Sequence, residues 1–235
     1  MKIAVIGVPR IPTNQEGIGR YCQKLYPRIV ARGHQVDLFV QAKYHHQPWF
    51  SIYYYKNIRV ISLLSLPGKI LDLLASSALN TIWASFGDYD VIHIHGLKNA
   101  WFSWFPQLFS GSRIVVTCGE KDWQQSKWSQ LPGWLLRWGE KTGIKNTDAI
   151  VVTSKTLGKY FQQKFDVSSC YIPHAAERSG LETDNAFTFG KALGLEKKRY
   201  LLYIGKLLPG KRPDLLIKAF QQLQLRGWKL VLAGE

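Results

Sequence analysis

The sequence predicts an α/β fold in which a parallel sheet is flanked by helices. Short apolar runs bounded by glycine or proline recur along the chain, and most are followed by a longer stretch with helical spacing of apolar residues. A strand at residues 2–7, a glycine-containing loop, a helix ending near Arg32 and a strand at 36–40 form the first parallel βαβ unit. An apolar content of 46% is ample for a core and argues against disorder.

The later elements follow the same alternation. Apolar runs predict strands at residues 58–62, 90–95, 113–117, 149–153, 200–204 and 230–233. Helical spacing predicts helices at 68–86, 125–145, 155–165 and from Pro213 onwards. Ser154 ends one of these strands and is expected to cap the following helix. The segment 41–56 is aromatic and polar without a clear period, which favours a surface loop.

Charge and cysteine usage narrow the functional classes. The net charge of +15 favours nucleic acid, anionic lipid headgroups or phosphorylated substrates. The sequence has no zinc-finger spacing or RNP-type strand, so we expect no nucleic-acid partner. Its three cysteines lie far apart without a CxxC pair, which indicates reduced thiols in a cytoplasmic protein. We expect neither a signal peptide nor a transmembrane helix, because no apolar run is long enough.

A basic turn before the helix at Pro213 is the main candidate ligand site. Lys206, Lys211 and Arg212 lie where a strand ends and a helix begins. The unpaired N–H groups of a helix start, with a partial charge of about +0.5 e, favour an anion there. Lysines add mobile point charges, so a diphosphate would suit the position. A strand–loop–helix with ordinary surface lysines is the alternative interpretation.

The segment YLLYIGKLLPGKRPDLLIKAF, at residues 200–220, resembles the loop that opens the C-terminal domain of family-four glycosyltransferases. These enzymes have the two-domain GT-B fold, and their pattern here is roughly YVGRLxxEKGxxxLIxAF. In that family an Arg and a Lys of the loop hold the diphosphate of a nucleotide-sugar donor. The resemblance therefore implies that Gly205, Lys206 and Lys211 bind the donor diphosphate, with Lys206 in the position of the Arg.

Two further segments carry the resemblance into the first part of the chain. DVIHIH followed by Gly96 is similar to the family's DVVHxHG, and CGEKDWQQSKW resembles its VVTxHGLDWxxxKW. Ligands of open α/β sheets collect at the carboxyl ends of strands, where His95 is expected to lie. The resemblance implies that His95 and the loop at Gly17 face the acceptor. A structural histidine and a simple tight turn are the respective alternatives.

The second of these segments also departs from the family pattern. Gly119 and Glu120 stand where the family has a histidine that lines the site and a glycine. Glu120 and Asp122, with His95, are the candidate catalytic residues.

The resemblance implies a Rossmann-like, acceptor-side domain at residues 1–178, an interdomain connection at 179–198 and the start of a donor-binding domain at 199–235. The second Rossmann-like domain is expected to be incomplete, because the family's paired-glutamate motif E-x7-E lies further along. We expect that this segment docks onto the first domain, that a complementing C-terminal polypeptide supplies the rest, or that the chain is a truncated product.

The implied function is transfer of a hexose or deoxyhexose from a nucleotide-sugar donor to a saccharide or lipid-linked acceptor. No cofactor or metal is required by this scheme, because the basic turn would stabilise the departing diphosphate. The aromatic stretch at 101–105 and the positive charge suggest peripheral contact with the inner face of the membrane, with core packing as the alternative. A non-catalytic remnant or subunit that needs a partner chain, and a basic membrane-surface binding module, are the other functional classes.

Overall fold

The computed structural model describes residues 1–13, 17–42, 50–64, 66–119, 133–175 and 187–234. It divides into unit 1, Met1–Ala175, and unit 2, Ala176–Glu235. The strands of unit 1 are β1 (Lys2–Ile6), β2 (Gln35–Gln41), β3 (Ser51–Tyr55), β4 (Ile58–Leu63), β5 (Val91–His95), β6 (Arg113–Cys118), β7 (Ala149–Val152) and β8 (Cys170–Tyr171). Its helices are α1 (Ile18–Val30), α2 (Lys69–Ser85), α3 (Trp104–Phe109), α4 (Gly133–Lys145) and α5 (Lys155–Phe165).

The strands of unit 1 form an 8-stranded sheet in the order β3-β4-β2-β1-β5-β6-β7-β8. All neighbouring pairs are parallel except β3 and β4, which are antiparallel. Helices connect most of the parallel strands, as crossovers between them require. The predicted α/β fold with a parallel sheet and flanking helices is therefore confirmed.

The segment predicted to be a surface loop, 41–56, contains a strand instead. β3 pairs with β4 from Tyr55 opposite Ile58 to Ser51 opposite Ser62. The two residues of the hairpin turn, Lys56 and Asn57, have φ values of 46° and 62°. This backbone matches the primed turns that suit the twist of an antiparallel pair. The prediction failed because aromatic β-propensity outweighed the lack of a clear period.

Two apolar clusters cover the two faces of the sheet. Side chains alternate along a strand, so Ala4 and Ile6 of β1 belong to one cluster while Ile3 and Val5 belong to the other. The second cluster includes Tyr26 of α1, which is fully buried. Burial on both faces explains why the parallel strands are continuous apolar runs rather than alternating ones.

A salt bridge joins β2 and β4 within this sheet. The Arg59 guanidinium donates hydrogen bonds to both carboxylate oxygens of Asp37, whose side chain is only 8% exposed. The Tyr89 hydroxyl donates to the same carboxylate at 2.6 Å. Burial and this contact raise the pKa of Tyr89 well above its ordinary value. The carboxylate is thus paired, as a buried charge must be.

Helix α2 is inverted with respect to an ordinary surface helix. Apart from Ala84, the side chains it buries are polar: Asp72, Ser76, Ser77, Asn80, Thr81 and Ser85. Its exposed side chains include Leu71, Leu79, Ile82 and Trp83, and Phe86 follows at its end. The buried hydroxyls are largely satisfied by local bonds, such as Thr81 to the Ser77 carbonyl at 2.6 Å and Ser85 to the Thr81 carbonyl at 2.7 Å. The helix can therefore hide its polar side and present an apolar one.

The elements of unit 2 are α6 (Thr188–Ala192), β9 (Tyr200–Ile204), α7 (Pro213–Leu223) and β10 (Lys229–Ala233). β9 and β10 pair in parallel from Tyr200 opposite Lys229 to Ile204 opposite Ala233. The short helix α6 lies inside the segment predicted from the sequence to be the interdomain connection.

Candidate functional site

In unit 1, a buried network of hydrogen bonds underlies the carboxyl end of β5. The Tyr26 hydroxyl lies 2.6 Å from Nε2 of His95 and 2.9 Å from Nδ1 of His93. The other nitrogen of His93 lies 2.7 Å from Oγ1 of Thr117 on β6. A neutral tyrosine has one proton to donate, so it donates to one imidazole and accepts an N–H from the other. Because the Tyr26 hydroxyl has a single proton, the tautomer of His93 determines which nitrogen of His95 carries its proton, and the reverse.

Both histidines of the network are held in the neutral form. Loss of hydration lowers the pKa of His93 to about 4. Burial lowers the pKa of His95 well below its ordinary value, and the proximity of the His93 and His174 imidazoles lowers it further, because neighbouring imidazolium charges would repel one another. His95 is only 1% exposed, and its Nδ1 has no hydrogen-bond partner among the described residues. Sequence reasoning missed Tyr26, because no local pattern in helix α1 indicates a partner on β5.

The backbone at the end of β5 is fixed by close contacts. The amide of Asn99 donates to the carbonyl of His95 at 2.6 Å. Gly7, at the end of β1, has a φ of +92°, and a Cβ there would meet the His95 carbonyl oxygen at 2.3 Å. Only glycine permits both this left-handed conformation and this approach. The predicted role of His95 in facing an acceptor stays a prediction, but its position at the strand end is confirmed.

Gly17 lies at the start of helix α1 with a φ of +103°, and a Cβ there would meet nothing within 4 Å. Its carbonyl accepts the first helical bond, from the Tyr21 amide at 3.0 Å. Gly17 is thus required for its backbone conformation, while the space around it is open. The candidates Glu120 and Asp122 lie outside the described residues.

In unit 2, the basic turn lies between the end of β9 and the start of α7. Arg212 adopts a left-handed conformation directly before Pro213, and its guanidinium forms two bonds of 3.1 Å to Asp214. Within the part of unit 2 that is described, Lys206 and Lys211 have no acidic partner, and both are exposed. The two lysines therefore present uncompensated positive charge at a helix start, where an anion is favoured.

Gly205 joins this turn to the neighbouring strand. Its amide donates to the Ala233 carbonyl at 3.0 Å, and a Cβ at Gly234 would lie 1.8 Å from the Gly205 carbonyl oxygen. The two strand ends thus approach so closely that Gly234 cannot carry a side chain. The hydroxyl of Tyr203 donates to the Lys206 carbonyl at 3.1 Å and closes the first part of the turn.

Within the ranges described above, no group of three or more His, Cys, Asp or Glu side chains could hold a metal ion. No helix in those ranges is both long and apolar enough to cross a membrane.

Solved structures with this fold are glycosyltransferases of the GT-B type. Sucrose-phosphate synthase from Thermosynechococcus elongatus superposes with a TM-score of 0.76 at 20% identity, over 99% of this chain and 62% of that one. HepE from Anabaena in complex with UDP superposes with a TM-score of 0.65 at 16% identity, over 99% of this chain and 60% of that one. This chain therefore spans about three fifths of the length of these structures. A search of curated proteins gave no match.

The sequence itself identifies the family. The family model Glycosyltransferase Family 4 matches residues 16–177, which is more than half of the chain. The chain therefore belongs to Glycosyltransferase Family 4, as the motifs around His95 and Lys211 predicted. The matched region covers most of unit 1, which carries the buried histidine network.

Proposed function

We propose that this chain functions in the transfer of a hexose or deoxyhexose from a nucleotide-sugar to a saccharide or lipid-linked acceptor. Its membership of Glycosyltransferase Family 4 is the observation that carries the proposal. Solved structures of HepE, which has the same fold, contain UDP or UDP-glucose. A uridine diphosphate sugar is accordingly the first donor to test.

In this proposal the donor diphosphate is bound in unit 2 by the turn of Gly205, Lys206 and Lys211. The exposed ammonium groups and the first turn of α7 would act on the same anion. During transfer, negative charge develops on the departing diphosphate, so fixed positive charge would stabilise the transition state more than the bound donor. In unit 1, His95 and the loop at Gly17 would form the acceptor side, because His95 lies at the carboxyl end of β5 and Gly17 lies in the connection between β1 and α1.

The test of the donor site is the affinity for UDP-glucose, measured by isothermal titration calorimetry. The double variant Lys206→Ala with Lys211→Ala should weaken binding about tenfold or more, because two charge-assisted contacts are lost. The matched control is Lys191→Ala with Lys218→Ala, which removes the same charge from exposed positions elsewhere in unit 2. Equal affinities of the two double variants would show that the turn does not bind the diphosphate.

A membrane surface is the second partner that we propose, and the inverted helix α2 favours it. Trp83 is 50% and Phe86 is 72% exposed, and on the adjoining α3 Leu108 is 70% and Phe109 is 59% exposed. We call these side chains the apolar face of α2 and α3. Isolated exposed apolar residues are ordinary, but this group lies together on two contacting helices, as the ring pair Phe86–Phe105 at 6.0 Å indicates.

The charge pattern favours lipid over protein as the occupant of this face. Between Leu71 and Phe86 the sequence contains one charged residue, Asp72, and its side chain is buried. Helix α3 has no charged residue. An uncharged apolar face on a chain of net charge +15 suits anionic bilayers, because the face enters the acyl boundary while the charge attracts the headgroups. A lipid-linked acceptor would be reached from such a position.

Vesicle co-sedimentation tests this contact. The chain should bind vesicles that contain phosphatidylglycerol, and Trp83→Ser with Phe86→Ser should reduce the partition coefficient about tenfold. The matched control is Phe189→Ser with Leu193→Ser, which removes exposed apolar side chains from unit 2. If instead the chain forms dimers that Trp83→Ser with Phe86→Ser dissociates, the face joins two copies and the membrane proposal is wrong.

A further inference from the structure

The exposed side chain of His174 borders the space in which a side chain at position 119 would lie. A Cβ added to Gly119 would be 3.8 Å from Nε2 of His174 and 3.9 Å from Oγ1 of Thr153. Both distances are ordinary van der Waals contacts, so the space is open enough for a side chain but already faces an imidazole and a hydroxyl. Gly119 follows β6, Thr153 follows β7 and His174 follows β8. The carboxyl ends of three successive strands of the sheet therefore bring these groups together.

Neighbouring residues orient this imidazole. The ring of Tyr21 lies 4.3 Å from that of His174, with an angle of 62° between the planes. Such an edge-on contact is the favoured geometry for two aromatic rings. The hydroxyl of Thr153 donates to the Gly119 carbonyl at 3.2 Å, which fixes the opposite side of the space. The imidazole is thus held on one side by Tyr21 while its Nε2 faces the space over Gly119.

A second observation at the same place concerns the buried His95. Its ring lies 6.1 Å from that of Tyr21, which therefore contacts both histidines. Its Nδ1 is buried and has no partner in the described ranges, although nearly all buried polar atoms in proteins have one. The proximity of His174 contributes to the lowered pKa of His95. The ring of Tyr21 thus contacts both the histidine with the unsatisfied buried nitrogen and the exposed His174.

We infer that His174 is a binding residue of the acceptor-side site and that its imidazole contacts a hydroxyl group of a saccharide. This inference rests on the proposed function and adds to it a residue in the segment that follows β8. Imidazole and sugar hydroxyl groups each donate and accept, so the pair is complementary in either tautomer. The imidazole stands over Gly119, the position where the family pattern has its own histidine. In this chain, His174, which follows β8, would supply an imidazole beside Gly119, which follows β6.

The test is a titration with maltose as the saccharide probe, followed by the histidine Cε1–Hε1 signals in NMR spectra. The His174 signal should shift and saturate, whereas the signal of His34, near the amino terminus of the chain, should not. His174→Ala should weaken maltose binding, followed through the Tyr21 ring signals, about three- to tenfold, as expected for one lost hydrogen bond. His34→Ala is the matched control and should leave the affinity unchanged.

A relocation variant makes the test sharper. Gly119 has no positive φ and has room for a side chain, so Gly119→His is compatible with the backbone. Combined with His174→Ala, it should restore maltose affinity, whereas Gly119→Ala combined with His174→Ala should not. If maltose shifts His174 no more than His34, or if the two double variants bind equally, the inference is wrong. UDP-glucose calorimetry reports separately on the donor site, so the failure of the proposed function can be told from the failure of this inference.

Discussion

Strands of the two units are similarly apolar but differ in how much of them is buried. β1 reads KIAVI and has four of its five residues buried, whereas β9 reads YLLYI and has none. In unit 1, β1 lies between β2 and β5 in a sheet with apolar clusters on both faces. Among the described residues of unit 2, β9 pairs with β10 alone, and Ile204 is 76% exposed. An apolar run thus specifies a strand, but the number of layers around it decides how much stability it contributes.

The largest expected difference between the units comes from removing one apolar side chain from each. Ile94→Ala on β5 should lower the free energy of unfolding of unit 1 by about 2–5 kcal/mol, because Ile94 is fully buried and leaves a cavity. Leu202→Ala on β9 should change the stability of unit 2 by less than about 0.5 kcal/mol, because Leu202 is 51% exposed. Native-state hydrogen exchange measures both. A large effect of Leu202→Ala would show that a further surface covers β9 in solution.

A smaller difference is expected when one ion pair is broken in each unit. Arg59→Ala leaves the carboxylate of Asp37 buried and should cost about 2–3 kcal/mol, less than for a fully buried pair because Arg59 is 39% exposed. Arg212→Ala breaks an exposed pair with Asp214 and should leave stability unchanged. Urea unfolding of both variants provides the comparison. Asp37→Asn combined with Arg59→Ala should recover part of the loss, since no charge then remains buried.

The last expected difference is that the stability of unit 1, unlike that of unit 2, depends on the titration of buried histidines. His93 and His95 have lower pKa values in the folded chain than in the unfolded chain, so the unfolded chain binds more protons as the pH falls. Their contribution is complete above about pH 6.5 and is lost towards pH 4; for His93 alone the loss is about 2 kcal/mol at pH 5.

Unit 2 provides the control for this pH effect. It contains no histidine, so its exchange-derived stability should not change between pH 7 and pH 5 by this route. His93→Gln should reduce the pH dependence of unit 1 in urea unfolding experiments. Equal stability of the wild-type unit 1 at both pH values would contradict the assignment of neutral histidines to the network.

Helix α2 shows that the range of a helix can be predicted from the sequence more easily than the side of the helix that is buried. The predicted range, 68–86, agrees closely with the observed Lys69–Ser85, because helical spacing and the glycine before the helix are local signals. Which side of the helix faces inward is not local. Polar Thr81 is buried and Trp83 is half exposed, and nothing in the spacing distinguishes this arrangement from the opposite one.

In the candidate site, too, features formed by neighbouring residues could be predicted, whereas contacts between distant segments could not. The basic turn could be predicted as a whole because Lys206, Lys211 and the helix start lie within a few residues of each other. Ser154 was also predicted correctly as a cap, and its Oγ accepts from the Leu157 amide at 3.2 Å. The partners of His95 could not be predicted, since Tyr26 lies 69 residues away along the chain.

By itself, the sequence determined the family and most of the strands, helices and turns, the exceptions being β3, α3 and α6. These properties follow from periodicity, backbone conformation and short motifs, which act over a few residues. Tertiary structure alone decided that Tyr26 joins two histidines, that His174 stands over Gly119 and that α2 turns its apolar side outward. Each of these depends on the order of strands in the sheet, because that order brings residues from distant segments within hydrogen-bonding or van der Waals distance.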